Sequence, residues 1–147
     1  MEKIKVLFVC VHNSARSQMA EAFVNKYGAG KVLAESAGLD PGVLNPLVVD
    51  VMKEIGIDIS GNKTKSAFDL YKQGKLYHYV ITLCDEAQER CPIFPGQAEK
   101  LHWGVDDPAA VKGDREEKLV KIRHIRDQIE EKVKDFTLSL LPIKPAQ

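Results

Sequence analysis

With 147 residues, 44 % of them hydrophobic, the chain has enough material for one filled core and no second one. Its 21 basic and 21 acidic side chains cancel, which argues against a nucleic-acid partner or a membrane-surface role and makes any attraction for anions local. No run approaches transmembrane length, and Met1 to Lys5 leads into a short strand with no apolar leader, so a cytoplasmic location is expected.

In chain order, Ile4, Val6, Leu7, Phe8 and Val9 are apolar on both faces, as in a strand at the middle of a parallel sheet. Cys10 then stands at that strand's carboxyl end, where open α/β sheets place their ligands. From Met19, Ala20, Phe23, Val24 and Tyr27 the apolar period becomes helical, so the stretch Val11, His12, Asn13, Ser14, Ala15, Arg16, Ser17 is a turn entering a helix N-terminus. Such an end offers free backbone N–H groups and partial positive charge. A tetrahedral oxyanion fits there, with the Arg16 guanidinium gripping two of its oxygens and Cys10 supplying a thiolate nucleophile. A cysteine followed by five residues and an arginine is also the signature loop of cysteine-dependent phosphatases.

Gly28 and Gly30 stop the first helix, and Lys31 to Ser36 reads as a second strand, closed by a turn at Ser36-Ala37-Gly38. Asn45 and Pro46 cap and open a helix with Val48, Val51, Met52 and Ile55 on one face, ended by Gly56. Residues 57 to 77 are polar, with a short helix around Ser66 to Lys72. Tyr79 to Leu83 form a third strand ending at Cys84, Asp85 to Arg90 suits a helix, and Pro92, Pro95 and Gly96 break regular structure beyond Cys91. A fourth strand, Glu99 to Trp103, leads to Asp106-Asp107-Pro108. A long helix from Arg115 to Phe136 carries the stripe Leu119, Ile122, Ile125, Ile129, Val133 and Phe136.

Alternating strands and helices predict an α/β fold: one three-layer domain over residues 1–141, with a four-stranded parallel sheet in the order 2-1-3-4 flanked by helices. Residues 142–147, with Pro142 and Pro145, are expected to be a flexible tail. The order places strands 1 and 3 side by side, bringing Cys10 and Cys84 within reach of each other, all three thiols lying at or beside strand ends. Cys91 is seven residues beyond Cys84, a helical rise of about 10 Å, too far for a disulfide without unwinding. An odd number of cysteines, three, cannot all pair within the chain, and Cys84 and Cys91 lack the short spacing of a zinc site.

Cys10 to Glu21, Ser36-Ala37-Gly38, Thr82-Leu83-Cys84, Cys91-Pro92 and His102 to Pro108 together resemble the thioredoxin-coupled arsenate reductases, which are built on the low-molecular-weight phosphatase fold. The resemblance runs from about residue 4 to residue 137. It implies that arsenate, with phosphate or sulfate as analogues, binds the loop, that Cys10 attacks arsenic, and that Asp107 donates a proton; Asp106 is the competing acid. It further implies a relay in which Cys84 attacks Cys10, Cys91 attacks Cys84, and thioredoxin reduces the product, with no bound cofactor. Asn13 would brace the loop and Ser17 donate to the sulfur. Asn13, Glu21 and Ser36 match positions around a potassium ion, but Lys65 and Ser66 stand where an acidic residue is expected. His102 and Trp103 read as packing at a strand end. Two alternatives remain: a plain low-molecular-weight tyrosine phosphatase using Cys10, Arg16 and Asp107, against which Ala109-Ala110 replace the usual tyrosine-rich segment, and an oxyanion-binding or redox-sensing module.

Overall fold

All seven residues of β1 (Ile4–Cys10) pair with one neighbouring strand and Val6 to Val9 also with a second, and from Val6 onward every one of them is buried. The structure, a computed structural model, describes residues 3–141; the expected tail at 142–147 lies outside them. After β1 come α1 (Arg16–Tyr27), β2 (Val32–Gly38), α2 (Pro46–Lys53), α3 (Ala67–Lys72), β3 (Tyr79–Thr82), α4 (Asp85–Arg90), β4 (Glu99–His102) and α5 (Arg115–Leu140), with a 3₁₀ turn at Pro108–Ala110. All strand pairs are parallel, in the order β2-β1-β3-β4.

The two faces of the sheet are sorted by the strand period of two. Val6 and Phe8 of β1 join Ile81 of β3 in a core with α1, α2 and α5, whose contributions include Phe23, Met52 and Ile122. Leu7 and Val9 join Val80 in a second core under α3 and α4, with Leu70, Ala87 and Phe94. Burying Phe8 and Phe23 completely stabilises the larger core by about 2–3 kcal/mol each. Arg126 of α5 is also buried; its guanidinium is neutralised by Glu54 at 3.0 Å and donates to the Val51 carbonyl at 2.8 Å, tying α5 to the end of α2.

Predicted boundaries and observed ones differ where a strand end meets the loop after β1. Ser36-Ala37-Gly38 is not a turn: β2 continues through Gly38, which pairs with Cys10. The glycine is required by proximity, because a Cβ there would lie 2.6 Å from the Val11 carbonyl oxygen and 2.8 Å from the Asn13 nitrogen. β3 and β4 end at Thr82 and His102, one residue early, although Leu83 N–H still bonds the Val9 carbonyl and Trp103 N–H the Thr82 carbonyl. α5 runs past Phe136 to Leu140.

Candidate active site

The loop between β1 and α1 is held from inside by one side chain. Asn13 has φ 54°, a left-handed conformation that asparagine tolerates better than most residues. Its Nδ2 donates to Ser17 Oγ at 2.7 Å and to Ser36 Oγ at 2.9 Å. Its Oδ1 accepts from Lys65 N–H at 3.0 Å and from Gln18 Nε2 at 3.2 Å. Asn13, Ser17, Gln18 and Ser36 are all fully buried, so removal of any one strands the others away from water.

The same network ends on the cysteine. Ser17 Oγ lies 2.9 Å from Cys10 Sγ; since that oxygen already accepts from Asn13, its own hydrogen is free to donate to sulfur. Asn13 N–H adds a second donor at 3.3 Å. Two donors converging on a buried sulfur suit one that carries negative charge. Ala15 is the N-cap of α1 and offers no side-chain cap, the first bond running from Met19 N–H to the Ala15 carbonyl. The earlier amides therefore have no helical acceptor and face the loop.

A cleft of about 230 Å³ opens over this loop, lined by Val11, His12, Ser14, Ala15 and Arg16 with Cys10, and closed across by Glu86, Asp107 and Ala109. Arg16 is moored from the loop after β4: Nη1 donates to the Val105 carbonyl at 3.1 Å and Nη2 lies 3.8 Å from Asp107 Oδ2. Asp107 also accepts from Ala109 N–H at 2.9 Å, so it caps the 3₁₀ turn and faces the cleft at once. Asp106 does neither; it lines a different groove, with Trp103, Lys132 and Asp135.

The potassium reading does not fit these residues. Ser36 Oγ donates to Glu21 Oε1 at 3.0 Å, and Lys65 Nζ stands 3.7 Å from the same oxygen. A primary ammonium thus already occupies the place a monovalent cation would need. Burial pushes the Glu21 carboxyl up from its ordinary value, with Lys65 acting in the opposite direction.

Cys84 begins α4 just past the strand position alongside Cys10, and its Sγ accepts from Ala87 N–H at 3.4 Å as the helix N-cap. Cys91 ends the same helix. It lines a cavity of about 180 Å³ with Val80, Gln88 and Lys100 and with Thr82 and His102, the last residues of β3 and β4. Its thiol is pushed up to about 11 by burial, against the pull of Lys100. All three cysteines are free.

The sequence carried no signal for Glu86 at the cleft rim, nor for the Val105 carbonyl that orients Arg16. Gln18 had one: a polar residue beside Met19 and Ala20 in a buried helix needs a partner, and it has Asn13 and the Lys63 carbonyl. No helix among the described residues is long and apolar enough to cross a membrane.

Residues 5–143 match the family model for low molecular weight phosphotyrosine protein phosphatase. An arsenate reductase of Halalkalibacterium halodurans is 43 % identical over 138 residues, covering 92 % of this chain and 96 % of its own length. The solved structure of an arsenate reductase in an oxidised state superposes with a TM-score of 0.76 at 33 % identity, over 92 % of this chain and 97 % of that one. A thioredoxin-dependent arsenate reductase of Corynebacterium glutamicum gives a TM-score of 0.70 at 30 % identity, over 94 % of this chain and 62 % of that one. The chain belongs to the low molecular weight phosphotyrosine protein phosphatase family, and within it is similar to arsenate reductases over nearly its whole length.

Proposed function

We propose that this chain is a cytoplasmic arsenate reductase whose catalytic domain spans residues 1–141 and whose three cysteines pass a bond from one to the next. The observation that supports the reading is the placement of Cys10 at the end of β1 and of Cys84 two residues past the end of the neighbouring β3, with Cys91 at the other end of one short helix. A phosphatase needs the first sulfur only.

Arsenate enters the cleft with its oxygens on the loop amides and Arg16. The Cys10 thiolate attacks arsenic; one oxygen leaves as water with a proton from Asp107, leaving a Cys10 sulfur–arsenic bond. The Cys84 thiolate then attacks Cys10 Sγ. The electron pair of the broken sulfur–arsenic bond stays on arsenic, which departs as arsenite, reduced by two electrons, and a Cys10–Cys84 disulfide remains. Cys91, as thiolate, attacks Cys84 and releases the Cys10 thiolate, giving a Cys84–Cys91 disulfide. An external dithiol of the thioredoxin type returns the two electrons. The ends of α4 are about 10 Å apart along its axis, beyond disulfide reach, so the second exchange requires α4 to unwind.

The test is NADPH consumption with thioredoxin, thioredoxin reductase and arsenate. Oxidation that depends on all three components supports the relay; hydrolysis of p-nitrophenyl phosphate with no arsenate-dependent oxidation overturns it in favour of a phosphatase.

A further inference from the structure

His102 closes the end of β4, and both of its ring nitrogens are engaged. Nδ1 lies 2.8 Å from Thr82 Oγ1, at the end of β3, and Nε2 lies 3.2 Å from Asp85 Oδ1, the first residue of α4. A carboxylate only accepts, so Nε2 carries the proton and donates to Asp85. The Thr82 hydroxyl, which the strand ladder fixes beside Val9, holds the opposite side of the ring. The imidazole therefore links two adjacent strand ends to the residue next after Cys84.

The other end of α4 is not tied to a neighbouring strand in this way: Arg90 pairs with Glu86 of its own helix, at 2.7 Å. The cavity of about 180 Å³ lies beneath Cys91, the Cys91 thiol reaches only the Pro92 carbonyl, at 3.5 Å, and Ala87 is the one buried residue of the helix. The geometry points to His102 as a positioning residue for the relay: with Thr82 and Asp85 it clasps the start of α4 so that Cys84 stays over Cys10 while the helix unwinds from the Cys91 end. This rests on the arsenate reductase reading for its consequence and on these contacts alone for its structure. The clasp is releasable, because Asp85 is 93 % exposed while His102 is only 23 % exposed.

Two readouts test it in the intact protein with Asp85→Ala, Asp85→Asn and His102→Gln. The first is single-turnover arsenite release, which reports the Cys84 attack on Cys10. Asp85→Ala is expected to slow it about fivefold, the scale of losing one exposed charged pair, with KM for arsenate and hydrolysis of p-nitrophenyl phosphate unchanged. Asp85→Asn, which keeps the acceptor oxygen, restores most of the rate. The second is hydrogen exchange at the α4 amides, expected to quicken by a similar factor in Asp85→Ala and His102→Gln. Unchanged exchange in both variants overturns the clasp, as does a loss of ester hydrolysis that parallels the loss of arsenite release. If the parent protein releases no arsenite the functional reading fails, and amide exchange still decides whether the clasp exists.

Discussion

The loop after β1 and the helix after β3 both start from cysteines at strand ends, yet they are built in opposite ways. Behind Cys10 four polar side chains, Asn13, Ser17, Gln18 and Ser36, are fully buried and hydrogen-bonded to one another through Asn13. Around Cys84 the helix buries a single alanine and is met by one mostly buried ring, His102, through an exposed aspartate. An anion site has to be ready before its ligand arrives, whereas a thiol that must visit two partners has to let go of the first. The contrast is the one the proposed relay needs, with the firm network around the sulfur that would stay and the looser element around the one that would move.

Replacing Cys84 by serine is the sharpest way to separate the two regions. Arsenate-dependent turnover disappears, since an oxygen cannot form the mixed disulfide, while ester hydrolysis at Cys10 stays within about twofold because the loop is untouched. Asn13→Ala attacks the other side. It strands Ser17, Ser36 and the Lys65 amide, so stability falls by about 2–4 kcal/mol in urea unfolding, and both activities drop together by about 100-fold as the loop loses its geometry. A variant losing reduction alone would break the comparison.

Pro92→Ala tests the loose end more gently. Alanine lets α4 continue past Cys91 where proline cannot, and the Cys84–Cys91 exchange is expected to slow about threefold, with first-turnover arsenite release unaltered. The mildest intervention is to leave the sequence unchanged and vary the pH around Cys91. A thiol pushed up to about 11 by burial keeps its proton in the folded state, so alkylation by iodoacetamide rises about tenfold per unit between pH 8 and 10. A plateau already at pH 9 would mean that the sulfur has left its cavity.

The centre of the fold was legible because its signals are local. An unbroken apolar run, a cysteine, a polar turn and a helical period place β1, the loop and α1 with no knowledge of distant residues. The strand order came from alternating elements and the handedness of their connections. What escaped depends on neighbours far along the chain. Gly38 reads as a turn glycine until the loop backbone is seen against it. His102 reads as packing because its partners lie 17 and 20 residues away, on elements whose juxtaposition only the folded sheet supplies. Asp107 and Asp106 are equivalent as letters; only the direction of the loop after β4 turns the former toward Arg16.

Glu86, which precedes the buried Ala87 of α4, rims the cleft that receives the anion. If α4 unwinds as the proposed relay requires, that carboxylate leaves the rim with it and returns on rewinding. In that relay the oxidised protein would meet the next oxyanion with a doorway of altered charge, and inorganic phosphate or sulfate, titrated against the two redox forms, would read the state of the disulfide through an inhibition constant.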